Sequence, residues 1–167
     1  MAFDFLVPVE DKVMAHCELF AAQSLGKHTR IHSKRDGLPD LENVSIALLG
    51  VRESRNAFEK KTEKLDVSAI RIQLYKLLLG NWNSTLADMG DIEEGATVED
   101  TYFVVKNTLS ELLEKKIIPI IIGATQDITY PAYRSFDGIV DLVNLVAVDS
   151  RFDFGMDDEL ISSHSYM

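Results

Sequence analysis

Apolar runs and segments of helical periodicity alternate along the chain. Residues 44–51, 117–123 and 142–148 are short runs in which nearly every side chain is apolar, and this pattern predicts strands buried on both faces. A shorter strand is predicted at residues 84–91, STLADMGD. Because helical segments separate these strands, their order favours one parallel sheet with helices on both faces, which is a three-layer α/β/α fold.

Three segments between the runs are predicted to be helices. Residues 97–116 begin with Thr97 followed three residues later by Asp100, which is the pattern of a capping box. Residues 127–136 place Asp127 at a candidate N-cap. The third segment, residues 67–80, has apolar positions at helical spacing that are expected to face inward, namely Ile70, Leu74, Leu77 and Leu78.

The first 40 residues are predicted to form a helical extension. This extension, residues 1–40, is expected to pack against an α/β portion that occupies residues 41–167. Its helical spacing begins near Pro8 and is expected to stop at Gly26. The inward stripe of this helix is predicted to consist of Val9, Val13, Cys17 and Phe20.

The overall charge and the cysteine content narrow the possible functions. The 167 residues carry a formal net charge of −10, so the chain repels phosphate backbones and a nucleic-acid partner is not expected. The single cysteine, Cys17, excludes an intramolecular disulfide, and together with the lack of a secretory signal this favours a cytoplasmic location. No run approaches the ~20 apolar residues of a membrane span, so no membrane partner is expected.

The candidate chemistry lies where the predicted parallel strands end, because ligands of such sheets bind at the carboxyl ends of the strands. Gln126 and Asp127 follow one strand, and Asp149 and Asp153 follow another with Arg151 between them. Carboxylate and amide oxygens in this position are typical of a site for a hard divalent cation. No GxGxxG or GxxxxGK[ST] motif follows any strand, which counts against a phosphate-binding loop.

Several segments, taken in order, resemble the ureohydrolases, the family of arginase, agmatinase and formimidoylglutamase. IALLGV, VSAIRIQLYKL and LADMGDI resemble the first strand, the GPxxIRxxL helix and the xDxGD strand of that family. GATQD and VDSRFD stand, at a similar spacing, where the family has GGDHS and DAHxD. The resemblance covers residues 44–155 and is closest to formimidoylglutamase-like members. It implies an arginase-type α/β fold, of which this chain would hold the N-terminal part.

The resemblance also implies a chemistry, the hydrolysis of a linear amidine by a hydroxide held between two Mn²⁺ ions. The substrate would be a small molecule or amino-acid derivative with a guanidino or formimino group. Carried over residue by residue, the histidine of the first motif falls on Gln126, and the second motif gives Asp149, Arg151 and Asp153. Asp127 is a further candidate ligand beside Gln126. The family's later Asp-x-Asp has no counterpart in this sequence, so two of the six expected ligands are retained.

Arg151 puts a permanent cation where the family has a metal-binding histidine. A guanidinium has five donors and no lone pair, so it does not bind a metal ion. Between Asp149 and Asp153, however, it can neutralise both carboxylates as an ion would. The alternative interpretation is that Arg151 points to solvent and that the two aspartates are ordinary loop or capping residues.

Three functional hypotheses remain. The first is a formimidoylglutamase-like protein that would use manganese if active and is expected to be inactive in this ligand-depleted chain. The second is a non-catalytic subunit or binding module of the same fold. The third is a flavodoxin-like nucleotide-binding domain, which the missing phosphate-binding loops disfavour. A sheet with uncovered edges favours self-association, so a homo-oligomer is also expected.

Overall fold

The computed structural model describes residues 2–57, 66–81, 83–149, 153, 155 and 160–165. The helices are α1 (Asp11–Leu19), α2 (Leu25–His28), α3 (Val67–Lys76), α4 (Val98–Glu114) and α5 (Thr129–Arg134). The strands are β1 (Leu6–Val7), β2 (Arg30–Ile31), β3 (Ile46–Val51), β4 (Leu86–Ile92) and β5 (Ile118–Gly123). Single turns of 3₁₀ helix occur at Ala2–Phe5 and Gln126–Ile128. None of the described helices is long and apolar enough to cross a membrane.

The sheet has the order β1-β4-β3-β5, and β2 also pairs with β4. The pairs β3/β4, β3/β5 and β2/β4 are parallel, whereas β1/β4 is antiparallel. Every residue of β4 is buried. Although β4 was expected to be a shorter strand, it is the longest of the five described strands, and it pairs with three of the others. The predicted α/β fold, with a sheet dominated by parallel pairs, is confirmed.

Helices cover both faces of the sheet. On one face, Leu49 and Val51 of β3 pack with Val105 and Leu109 of α4. On the other face, Leu48 packs in a second cluster with α1 and α3. This alternation along β3 explains why its sequence is apolar throughout.

The N-terminal residues contribute strands as well as helices. Val13 and Cys17 of α1 are buried together with Val9, and Phe20 is partly buried against them, so the predicted stripe is confirmed. However, β1 and β2 both pair with β4, along its outer edge. The segment therefore completes the sheet on that side in addition to covering one face.

The inward face predicted for α3 is wrong. Ile70, Leu77 and Leu78 are 41%, 58% and 70% exposed, and only Leu74 packs partly against the core. The buried face consists instead of Val67, Ser68, Arg71 and Tyr75. The apolar spacing predicted the wrong face of α3 because Arg71 and Tyr75 form hydrogen bonds with buried aspartates of β4. These bonds turn the face that carries Arg71 and Tyr75 inward, and the leucines remain exposed.

The strand predicted at residues 142–148 is also wrong, since the structure has no regular element there. Val146 and Val148 are 84% and 98% exposed. As a result β5 pairs only with β3 among the described residues and is an edge strand rather than a buried one. Pro119 suits this position, because proline lacks the N–H that an inner strand would use for pairing.

Candidate functional site

A bulge in β4 determines where its two aspartates point. Leu48 lies opposite Asp88, but Gly50 lies opposite Asp91, so β4 contains one extra residue between the two pairs. Residues three apart on a regular strand face opposite sides of the sheet, and the extra residue brings Asp88 and Asp91 to the same side. Gly90 in the bulge has φ +84°, which favours glycine. Both carboxylates therefore face α3.

Arg71 of α3 is fully buried between these two carboxylates. Its Nε and Nη2 donate to the two oxygens of Asp88 at 2.7 and 3.1 Å, and its Nη1 donates to Asp91 Oδ1 at 2.5 Å. Nη2 also donates to the carbonyl of Gly90 at 2.8 Å. The Tyr75 hydroxyl donates to Asp88 at 2.5 Å, and burial together with the charge of Asp88 raises the pKa of Tyr75.

A second arginine, Arg52, joins the cluster of Arg71, Asp88 and Asp91 on the side of the carboxyl end of the sheet. Arg52, just after β3, donates to Asp91 Oδ2 at 2.7 and 2.9 Å and to Glu10 at 2.6 Å. Asp91 is thus held by two guanidinium groups, one on each oxygen. Because Asp88 and Asp91 are occupied by arginines, we interpret this cluster as a structural centre and not as a metal site.

Beyond Arg52, a buried glutamate organises the loop that follows β3. Glu53 is fully buried and accepts hydrogen bonds from Arg55 Nη2 at 2.5 Å and from Thr101 Oγ1 at 2.8 Å. The backbone N–H groups of Ser54 and Arg55 donate to its other oxygen. Burial alone would raise the pKa of Glu53, but the hydrogen bonds from Arg55 and Thr101 lower it to about 2.

The first turn of α4 connects this loop to the one after β5. Tyr102, next to Thr101, donates its hydroxyl to Asp127 Oδ2 at 2.5 Å and accepts from Asn56 Nδ2 at 3.0 Å. Burial and the hydrogen bond to Asp127 raise the pKa of Tyr102. The N-cap role predicted for Asp127 is wrong, since Asp127 makes no capping bond and lies fully buried within the 3₁₀ turn.

The capping box predicted for α4 is confirmed and fixes the position of this turn. Thr97 Oγ1 accepts from the backbone N–H of Asp100 at 3.1 Å, and Asp100 Oδ2 accepts from the N–H of Thr97 at 2.9 Å. Thr101 and Tyr102 follow directly and therefore face the ends of β3 and β5.

Of the predicted site residues, the structure brings Gln126 and Asp149 into direct contact. The Gln126 side-chain amide donates to Asp149 Oδ2. Asp153 is buried, with 2% of its surface exposed. Arg151 lies outside the described residues, so its proposed place between the aspartates stays a prediction.

The described side chains do not provide the donor set of a two-manganese centre. They contain no group of three or more His, Cys, Asp or Glu residues arranged to hold a metal ion. Gln126 donates the N–H of its side-chain amide to Asp149, so its amide oxygen is the one atom of that side chain that could coordinate a metal. Asp127 accepts from Tyr102 through Oδ2, whereas its buried Oδ1 has no hydrogen-bond partner among the described residues. The ligand roles of Gln126, Asp127, Asp149 and Asp153 remain predictions.

Several solved structures share the architecture of this chain. Agmatine ureohydrolase of Thermoplasma volcanium matches with a TM-score of 0.67 and 21% identity, over 89% of this chain and 50% of that one. A hypothetical agmatinase from Burkholderia thailandensis matches with a TM-score of 0.64 and 20% identity, over 76% of this chain and 44% of that one. An arginase superfamily protein from Trypanosoma cruzi matches with a TM-score of 0.62 and 22% identity, over 75% of this chain and 47% of that one.

The fold is that of the ureohydrolases. The chain spans about half the length of these structures. No protein-family model matches the sequence, and no curated protein matches it.

Within the ureohydrolase fold of this chain, the sequence reasoning missed the buried ion pairs. Arg71 belongs to the IR of VSAIRIQLYKL and the aspartates to LADMGDI, both of which carried the resemblance. The available signal was one arginine at helical spacing from Tyr75 together with two aspartates in an otherwise apolar strand. Charged residues in such positions are almost never fully buried unless they are paired.

Glu53 makes the stability of this ureohydrolase-fold chain depend on pH. A carboxylate whose pKa is about 2 in the folded state and 4.5 in the unfolded state stabilises the fold above pH 4.5. This contribution is lost as the pH falls toward 2. Arg55 is partly solvated, so we expect Glu53→Gln to lower the free energy of unfolding at pH 7 by about 2 kcal/mol. The difference from the unmodified chain should shrink at pH 3.

Urea denaturation at pH 7, 5, 4 and 3 measures this effect. Glu114→Gln is the matched control, because Glu114 is an exposed carboxylate on α4. The control should track the unmodified chain at every pH. A Glu53→Gln difference that is the same at pH 7 and pH 3 would contradict the ionised state assigned to Glu53.

Proposed function

We propose that the chain is a formimidoylglutamase-like protein of the ureohydrolase fold, and that on its own it does not hydrolyse amidines. The family reaction is the cleavage of a C–N bond in a linear amidine. The observation that carries the proposal is the contact between Gln126 and Asp149. These two positions fall on metal ligands in the resemblance. They meet at the carboxyl end of β5, but as an amide that donates a hydrogen bond to a carboxylate.

The chemistry of amidine hydrolysis explains why this replacement matters. Water must be activated to attack the amidine carbon, and in the family two metal ions supply that activation. Here Gln126 and Arg151 stand in place of two imidazoles, and neither offers a nitrogen lone pair. Asp127 accepts from Tyr102 through Oδ2, Asp149 accepts from Gln126, and Asp88 accepts from Arg71.

A calorimetric titration with Mn²⁺ and an activity assay test the proposal. We expect weak Mn²⁺ binding and no release of urea or formamide from arginine, agmatine or formiminoglutamate. Arg151→His should raise the Mn²⁺ affinity roughly tenfold, equivalent to ~1.4 kcal/mol, if Arg151 replaces an ion between the aspartates. Arg134→His, on the exposed side of α5, is the control and should leave the affinity unchanged.

Two results would overturn the proposed inactivity. One is tight binding of two Mn²⁺ ions per unmodified chain. The other is turnover that Asp149→Ala abolishes. An Arg151→His chain that binds Mn²⁺ no better than the control would instead support the interpretation that Arg151 faces solvent.

A further inference from the structure

We propose that residues 160–165, called here the serine turn, control the access of small polar ligands to Asp127 at the carboxyl end of the sheet. Asn56 and Tyr102 join the serine turn to Asp127 by hydrogen bonds, so that the serine turn and Asp127 leave their closed positions together. The proposal concerns the conformation of this end of the sheet and does not depend on amidine hydrolysis.

The serine turn is closed by hydrogen bonds of its own. The backbone N–H of Ser165 donates to the carbonyl of Ser162 at 3.2 Å, and the Ser165 hydroxyl donates to the carbonyl of Leu160 at 2.9 Å. The Ser162 hydroxyl accepts from the backbone N–H of His164 at 3.2 Å. Because these bonds lie within the serine turn, we expect it to move as one unit.

Asn56, in the loop after β3, holds the serine turn through its backbone and through its side chain. Its carbonyl accepts from the backbone N–H of Ser163 at 3.2 Å, and its Nδ2 donates to the carbonyl of Ile161 at 2.9 Å. Ile161 packs partly against the core between β3 and α4, whereas Leu160, the other apolar residue of the serine turn, is 88% exposed. A segment that buries so little apolar surface opens more readily than the fold as a whole.

The same Asn56 amide connects the serine turn to Asp127, because its Nδ2 carries two hydrogens. Nδ2 also donates to the Tyr102 hydroxyl at 3.0 Å, and Tyr102 donates to Asp127 Oδ2 at 2.5 Å. A hydroxyl that accepts a hydrogen bond becomes a stronger donor, so Asn56 strengthens the bond that holds Asp127. When the serine turn leaves, Asn56 loses the contacts that orient it, and Tyr102 loses this support.

Asp127 gains hydrogen bonds if it leaves the interior. Its side chain is fully buried, yet its Oδ1 has no hydrogen-bond partner in the described part of the chain. The buried hydroxyl of Thr125, two residues earlier, also lacks a partner there. Contact with water or a small polar ligand would remove the penalty of leaving these oxygens unpaired. Loss of the support from Asn56 therefore favours an open state in which Asp127 is accessible.

Carbodiimide labelling of carboxylates, read out by peptide mass spectrometry, tests whether the serine turn controls this access. Asn56→Ala removes the amide donor, and Ser163→Pro removes the N–H that binds the Asn56 carbonyl. We expect each variant to raise the labelling of Asp127 about fivefold or more. Asp11, whose side chain is 71% exposed, should be labelled equally in every variant. Asp88, fully buried against α3, should stay unlabelled, which shows that the fold is intact.

Amide hydrogen exchange tests the coupling in the opposite direction. Tyr102→Phe removes the hydroxyl between Asn56 and Asp127 without changing the serine turn, and we expect the N–H of Ser163 to exchange about fivefold faster or more. Tyr133→Phe is the matched control, because Tyr133 is 45% exposed on α5, and it should leave this exchange unchanged.

Two results would overturn the proposal. The first is labelling of Asp127 in Ser163→Pro that stays at the level of the unmodified chain, because the serine turn would then move without Asp127. The second is exchange of the Ser163 N–H that is the same in Tyr102→Phe and in the tyrosine control. Asn83→Ala, at an exposed position before β4, is the control for Asn56→Ala and should leave the labelling of Asp127 unchanged.

Discussion

Replacing Arg71 with methionine is expected to lower the free energy of unfolding by about 3–5 kcal/mol, the loss typical of breaking a buried ion pair. Methionine fills a similar volume but donates no hydrogen bond. Asp88 would keep only Tyr75 and the N–H of Gly90 as partners, and Asp91 would keep only Arg52. Urea denaturation at pH 7 measures the change.

Arg134→Met is the control for Arg71→Met, because it removes an arginine and its ion pair at an exposed position instead of a buried one. Arg134 forms an ion pair with Asp137 at 2.6 Å, but both side chains are more than 40% exposed. Exposed pairs contribute about 0–1 kcal/mol, so this variant should be close to neutral. If Arg71→Met were as mild as Arg134→Met, the buried cluster would not be the structural centre that its geometry indicates.

Replacing Gly90 with alanine is expected to destabilise the chain by about 3 kcal/mol or more, from backbone strain and steric overlap together. Gly90 has φ +84°, and a Cβ there would lie 2.0 Å from the carbonyl oxygen of Val7. Since Val7 belongs to β1, relief of the overlap would push β1 away from β4. Thermal and urea denaturation measure the cost.

Gly138→Ala is the matched control for this prediction. Gly138 has a similar φ of +78°, but a Cβ there meets nothing within 4 Å. It should therefore show only the strain of the left-handed conformation, about 1 kcal/mol. Equal losses at the two positions would mean that the contact with β1 contributes nothing and that strain alone accounts for the effect.

The sequence predicted the layers of the fold well because strand and helix periodicity reflect burial directly. β3, β4 and β5 were all expected as strands, and Thr97 caps α4 as the capping box predicted. The strand predicted at residues 142–148 failed for a physical reason. Apolarity shows that residues 142–148 are suited to burial, but burial also needs a surface to pack against, and this cannot be read from the segment itself.

The site was harder to predict because its geometry depends on contacts between distant residues. The bulge at Gly90 has no periodic signal, yet it alone brings Asp88 and Asp91 to one side of β4. Asp127 had the sequence position of an N-cap, but Tyr102 on another helix holds it in the interior. The contact of Gln126 with Asp149 was predicted from two neighbouring strand ends, although only the first of them, the end of β5, is a strand in the structure.

The order of the strands in the sheet constrains the order in which the chain acquires structure during synthesis. β1, β2 and β3 are all made before β4, yet none of the three pairs with another of them. The first strand pairing becomes possible only when β4 is complete at Ile92, more than half-way along the 167 residues. At a synthesis rate of ~5–20 residues per second, several seconds pass between the synthesis of β3 and that of β4, and during this time the apolar sequence IALLGV of β3 has no partner strand. Chaperone contacts with the nascent chain should therefore concentrate on β3 and fall once β4 has emerged.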